Sequence, residues 1–329
     1  MGILLKGTWV TSPRDTNELQ SLLQRDGDTL RNWITPDGRS LTQQIGFAAE
    51  QNRYHLYISQ ACPFAHRTSI MRHLNDLEEI ISMSEVDPVS ASSGWEFSEE
   101  YPDPLYGKKR LSEIYALSNN KITSRVTTPV LWDKKRKAIV SNDSGDIMRI
   151  FNSAFNKLTE NTQDFYPLSL RSEIDELNSW LFDNLNVGVY RAGFADSQLS
   201  YERASQKVFN ALDMLEQRLD RQRFLHGASL TESDWRLFTT LIRFDAVYHP
   251  LFKLNQARLT DYRNLIAYTR DLYQQSLVAE TVNITTTKLH YFASFTSINP
   301  KGFVASGGET NFSTPHYRVI PVGMEKYAC

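Results

Sequence analysis

Ser59-Gln60-Ala61-Cys62-Pro63-Phe64-Ala65-His66-Arg67-Thr68 decides how the chain is read. The run before it, Tyr54-His55-Leu56-Tyr57-Ile58, has the apolar character of a buried strand. After it, apolar residues at Ala65, Ile70, Met71, Leu74 and Leu77 follow the period of an amphipathic helix. Pro63 suits a first helical position, where no N–H donor is needed. Cys62 is therefore expected where strand turns into helix, at the positive end of the helix dipole. That place favours a thiolate, the nucleophilic form of cysteine. Ala65 stands where the second cysteine of a Cys-x-x-Cys pair would be, so a disulfide at Cys62 has to form with a small thiol or with another chain. The alternative is an inert core cysteine, since free cysteine is often buried.

The chain has 329 residues, enough for two domains or one large one. Apolar residues make up 41% and charged residues 22%, the balance of a globular protein. A net charge of −2 offers no basic field for nucleic acid. The two cysteines, Cys62 and Cys329, make no disulfide framework and suit a reducing cytoplasm. Met1 to Lys6 is too short for a signal peptide, and no apolar run approaches a membrane span.

Residues 1–45 read as a polar extension with turns at Ser12-Pro13 and Pro36-Asp37-Gly38, anchored by Trp9, Trp33 and Ile34. Residues 46–155 read as strand, helix, strand, irregular stretch, two strands and a helix. The second strand is expected over Ile80–Val86, the third over Val126–Asp133, and a hairpin partner at Ala138–Val140. Pro129 inside a strand pattern allows a cis peptide, with the backbone of Thr128 turned to a ligand near Cys62. Asp143 and Ser144, ahead of Ile147, Ile150 and Phe151, read as a helix start. They could be caps alone, or they could hold a ligand's ammonium and carboxylate.

Residues 165–290 carry helical stripes: Ile174, Leu177, Leu181 and Leu185, then Val208, Leu212, Leu215 and Leu219, then Leu237, Leu241 and Phe244 after a capping box from Thr231 to Asp234. The short apolar connection Val187–Ala195 holds Tyr190. Residues 291–329 read as an irregular tail starting at Tyr291. Structural phenols are one explanation of both tyrosines. His66 and His73 are too far apart to chelate one ion, and the chain lacks His-x-x-x-His, Cys-x-x-Cys, Gly-x-Gly-x-x-Gly and Walker A patterns, so no metal and no nucleotide are expected.

The strand–Cys-Pro-x-Ala–helix unit, the Thr-Pro-Val strand and the Asn-Asp-Ser helix start resemble the first half of a glutathione transferase. Tyr54–Arg67, Gly94–Phe97, Arg125–Lys135, Val187–Ala195 and Tyr291–Gly302 resemble, more narrowly, the glutathionyl-hydroquinone reductases, the Xi class of that superfamily. The resemblance spans nearly the whole chain. It implies a thioredoxin-like glutathione-binding domain, an all-α domain, a homodimer, and glutathione as co-substrate with no metal. By the same resemblance Cys62 is the nucleophile, while Phe64, Trp95, Arg125, Thr128, Asp143 and Ser144 line the glutathione site. Tyr190 and Tyr291 face the hydroquinone. Phe64, Thr128, Asp143 and Phe295 stand where Trp, Val, Glu and His are usual. The reaction implied is reduction of glutathionyl-hydroquinones. An omega-like thiol transferase or dehydroascorbate reductase, and a non-catalytic ligand carrier of the same fold, are the alternatives.

Overall fold

The computed structural model describes residues 2–11, 19–21, 23–24, 30–39, 46–90 and 92–318. The Ser12-Pro13 turn, Cys329 and the last part of the tail lie outside them. The chain divides into two compact units, residues 1–163 and 164–329.

The first unit is built on a four-stranded sheet with strands β5 (Tyr54–Ile58), β6 (Ser82–Glu85), β7 (Val130–Asp133) and β8 (Ala138–Ser141). Their order is β6-β5-β7-β8. β5 runs parallel to β6 and antiparallel to β7, and β7 runs antiparallel to β8. Every residue of β5 and β7 is buried, as central strands covered on both faces should be. Helix α1 (Pro63–Leu74) follows β5, α2 (Leu111–Ser118) precedes the Thr128-Pro129 segment, and α3 (Ser144–Ser153) follows β8.

Four local expectations need correction. β6 is shorter than Ile80–Val86, because Ile80 and Ile81 close the turn after α1 through bonds to the Leu77 carbonyl. α1 stops at Leu74, where Asn75 bonds back to the Met71 carbonyl and Asp76 takes a positive φ of 54°; Leu77 is buried beyond the helix. β7 starts after Pro129, which has no N–H for a ladder. The stretch read as irregular contains α2. Its start is marked by a box in which Glu113 reaches back to the Arg110 backbone, and Leu111, Ile114 and Tyr115 form its buried face.

The extension is more regular than its composition suggests. β1 (Ile3–Leu5) pairs antiparallel with β2 (Thr8–Val10), and β3 (Trp33–Thr35) pairs parallel with β4 (Gly46–Ala48). Leu4 exchanges backbone bonds with Ser124 and joins the cluster of Tyr57, Ile114, Tyr115 and Trp132. Trp9 lies over Gly94, where a Cβ would come within 2.9 Å of its ring, and a φ of +80° also favours glycine there. Ile34 is buried and Trp33 half-buried.

The second unit is helical. It contains α4 (Arg171–Leu181), α5 (Gly188–Gly193), α6 (Gln198–Arg221), α7 (Glu232–Leu241), α8 (Arg263–Tyr273) and α9 (Ile284–Ser294). The Thr231–Asp234 capping box forms as read, and Asp234 also receives the Leu225 N–H and the Tyr268 hydroxyl. The connection Val187–Ala195 is itself mostly the helix α5. π-helical turns, Phe182–Asn186 and Phe244–Tyr248, precede α5 and follow α7. Tyr291 lies in the last turn of α9, so helix continues past residue 290. The described tail is irregular after that. Its Arg318 donates to the carbonyls of Leu219, Gln222 and Arg223 at the end of α6.

Candidate active site

In the first unit, β5 ends at Ile58 and the turn Ser59–Ala61 delivers Cys62 to the N-cap of α1. Cys62 N–H donates to the Ser59 carbonyl, and the Cys62 carbonyl accepts from His66 N–H, which fixes the residue at the helix mouth. Its thiol is free and half-buried, and Sγ lies 3.5 Å from the Thr128 carbonyl oxygen. The Thr128-Pro129 peptide is cis. The cysteine and the backbone before Pro129 thus meet, the arrangement that Pro129 in a strand pattern allowed. Phe64, the second residue of α1, lies under the Arg67 guanidinium, 4.6 Å from the ring centre.

Two further predicted residues share a cavity of about 560 Å³. Arg125 and Asp143 line it, together with Thr127, Asn142 and, from the extension, Gln20 and Arg31. Asp143 caps α3 by accepting the Asp146 N–H at 2.9 Å, and Ser144, 8% exposed, is the first helical residue. Arg31 forms a bidentate pair with Asp146 in that same first turn, both bonds at 2.7 Å. Trp95 is half-buried between Gly94 and α2, and its carbonyl accepts from Leu111 N–H.

In the second unit, the hydroxyls of Tyr190 and Tyr291 are 2.5 Å apart. Tyr190 is half-buried and Tyr291 is 1% exposed. Burial, reinforced by its phenolic neighbours Tyr190 and Tyr248, holds the Tyr291 phenol far above its ordinary pKa, with Arg243 pulling the other way. Tyr291 is thus a proton-bearing hydroxyl at neutral pH. Tyr248 adds a third hydroxyl, 3.4 Å from that of Tyr291, and stacks on Phe252. Phe295 packs edge-on against Tyr291 and Phe194.

With this geometry in hand, comparison with known proteins gives the family. The family model for the glutathione S-transferase N-terminal domain matches residues 61–154, and that for the C-terminal domain matches residues 198–271. A glutathionyl-hydroquinone reductase of Escherichia coli is 46% identical over 98% of this chain and 100% of its own length. The chain belongs to the glutathionyl-hydroquinone reductases. Among solved structures, the glutathione-bound form of a glutathione transferase homologue from Escherichia coli K-12 matches with a TM-score of 0.89 and 45% identity, over 96% of this chain and 99% of that one. A Xi-class glutathione transferase from Natrialba magadii gives 0.88 and 39%, over 96% of both chains. The architecture is that of a glutathione transferase, a thioredoxin-like part followed by a helical one.

For a glutathionyl-hydroquinone reductase, sequence reading left some neighbours of the site unnamed. Tyr248 lies four residues beyond Phe244, on the stripe that starts at Leu237 and Leu241, so its helical phase was available. The roles of Gln20 and Arg31 had no local signal, because they depend on where the extension crosses the sheet. Tyr115 was hidden with α2, whose capping residues Arg110 and Glu113 and whose apolar spacing were the signal.

Proposed function

We propose that this chain reduces glutathionyl-hydroquinones to hydroquinones at the expense of glutathione, through a mixed disulfide at Cys62. The observation that carries the reading is the half-buried Cys62 at the mouth of α1, its Sγ against the Thr128 carbonyl. The Cys62 thiolate attacks the sulfur of the glutathionyl group. The S–S bond forms as the bond from sulfur to the ring carbon breaks; the carbon leaves with the electron pair and takes a proton. A second glutathione, as thiolate, attacks the mixed disulfide, giving oxidised glutathione and the Cys62 thiolate. One protein cysteine suffices.

The remaining roles are assigned as follows. The Thr128 backbone pairs with the cysteinyl part of glutathione. Asp143 and Ser144 take its γ-glutamyl ammonium and carboxylate, the latter favoured at a helix start. Arg125, Trp95 and Phe64 complete the glutathione site. Tyr190 and Tyr291 hydrogen-bond the ring hydroxyls and assist protonation of the leaving carbon. The second unit's phenol pair supports an aromatic substrate over a simple mixed disulfide. In this reading residues 46–155 hold glutathione, 165–290 form the helical domain, 1–45 are an extension packed on the body and 291–329 an irregular tail. The protein is read as a cytoplasmic homodimer, and light scattering on a size-exclusion column tests the dimer.

The deciding experiment exposes the protein to a glutathionyl-hydroquinone and follows both partners. Mass spectrometry should find one glutathione added at residue 62 with hydroquinone released, and further glutathione should remove the adduct as oxidised glutathione. Absence of hydroquinone release overturns the reading.

A further inference from the structure

Tyr115 is 0% exposed, on the inner face of α2, and its ring fills the core beside Ile114 and Trp132. Its hydroxyl nevertheless serves two segments at once. It donates to the Thr127 carbonyl at 2.9 Å, accepts the Thr127 N–H at 3.3 Å, and accepts the Asn142 side-chain amide at 3.1 Å. Thr127 precedes the residue whose carbonyl touches Cys62. Asn142 precedes Asp143 and Ser144 at the start of α3. Thr127 and Asn142 also line the same cavity as Arg125 and Asp143.

We propose that Tyr115 is a positioning residue for glutathione, fixing the distance between the backbone that takes the cysteinyl part and the helix start that takes the γ-glutamyl end. This rests on the assignment of those two segments as the glutathione site. The β7–β8 ladder ends at the Leu131–Ser141 pair, and beyond it the Tyr115 hydroxyl ties the two segments directly. The path from Thr127 to Asn142 runs out along β7 and back along β8, and the pairing of those strands is irregular between Leu131 and Trp132. Both backbone groups of Thr127 end on one phenol oxygen, so the residue before Thr128 can neither rotate nor slide without losing two bonds. Burial holds the phenol protonated, and that O–H is the donor the Thr127 carbonyl needs. A ligand bridging both segments gains from finding them already spaced, because it spends no binding energy on ordering them.

Tyr115→Phe keeps the ring and removes the oxygen. In the full-length protein, calorimetric titration should show the glutathione Kd rising roughly tenfold, about 1.4 kcal/mol. The KM for glutathione should rise in parallel, with kcat at saturation changed less than about twofold. Asn142→Ala, at a half-buried position, should raise the same Kd to a smaller extent, and the two changes together should fall short of additive. A merely structural role lowers the melting temperature or the active fraction, and with it kcat, while leaving Kd alone. That result for Tyr115→Phe overturns the proposal. If Tyr115→Phe does not fold, Asn142→Ala decides, and a wild-type Kd there overturns it. A wild-type protein that binds no glutathione and forms no adduct at Cys62 sinks the underlying assignment as well. Normal binding by wild type and variant alike removes only the role of Tyr115.

Discussion

The hydroxyls of Tyr190 and Tyr291, 101 positions apart in the chain, meet at 2.5 Å. Tyr190 comes from the short helix α5 and Tyr291 from the last turn of α9. Only one of the two protons can lie between the oxygens, so the other is directed elsewhere. Tyr291 is enclosed and Tyr190 half-buried, so the outer phenol presents the pair. In our reading the inner phenol polarises the outer one and the two act as a unit.

Tyr190→Phe and Tyr291→Phe should each lower hydroquinone release by roughly a hundredfold, the scale of lost general-acid assistance. The double variant should lose little more than either single one. Exchange of a small glutathione mixed disulfide, which has no ring to protonate, should fall much less. Equal losses on both substrates would count against the assignment of the phenols.

Cys62→Ala should abolish reduction and adduct formation without unfolding the protein. Cys62 is half-buried at an N-cap, where its side chain makes no capping bond. A melting temperature close to wild type with no turnover is expected. Substantial residual turnover refutes Cys62 as nucleophile.

Asp143 has two separable duties, capping α3 and, in our reading, meeting an ammonium. Asp143→Asn keeps a good cap but loses the charge; glutathione KM should rise several-fold with stability nearly unchanged. Asp143→Ala should add a loss of about 1 kcal/mol in urea unfolding. If both variants bind glutathione like wild type, Asp143 is a cap and nothing more.

His55 is 1% exposed in β5, its ring nitrogens each 2.8 Å from a serine hydroxyl, Ser82 and Ser84. Burial lowers its pKa to about 3, and Lys134 pushes the same way. The unfolded chain takes a proton near pH 6.5 that the folded one refuses. Stability is therefore lost as pH falls from about 6.5 towards about 3. Between pH 7 and pH 5 wild type should lose about 2 kcal/mol more than His55→Gln. Denaturant melts at the two pH values check this, and equal losses remove His55 from the acid limb.

Asp234 is fully buried and satisfied by the Thr231 N–H and hydroxyl, the Leu225 N–H and the Tyr268 hydroxyl. Asp234→Ala strands these donors as well as removing half of the capping box. A loss of about 2–4 kcal/mol is expected, read as a fall in the urea midpoint. An unfolding free energy within about 0.5 kcal/mol of wild type would show that the enclosed carboxylate's burial cost cancels its bonds.

Much of the fold was legible because its signals are local. The run Tyr54–Ile58, the Cys62-Pro63 helix start and the Thr231–Asp234 box each depend on neighbours within a few residues. Pro129 was read as compatible with a cis peptide beside Cys62, and both features are present. The strand over Val126–Asp133 came out short for the opposite reason. β-propensity continues through Val126 and Thr127, but the Tyr115 hydroxyl, not a neighbouring strand, takes the backbone groups of Thr127. α2 was missed because Gly, Pro and charged residues around it outweighed an eight-residue apolar period.

The sequence by itself determined the strand-to-helix placement of Cys62, the helical second half, and the family to which both point. Tertiary structure alone decided that the Tyr190 and Tyr291 hydroxyls meet, that Tyr248 stands behind them, that Arg31 of the extension grips the first turn of α3, and that the Tyr115 hydroxyl bonds both Thr127 and Asn142. Periodicity and capping are written in residues a turn or two apart, whereas these meetings depend on strand register and chain closure over tens of residues, which no local pattern encodes.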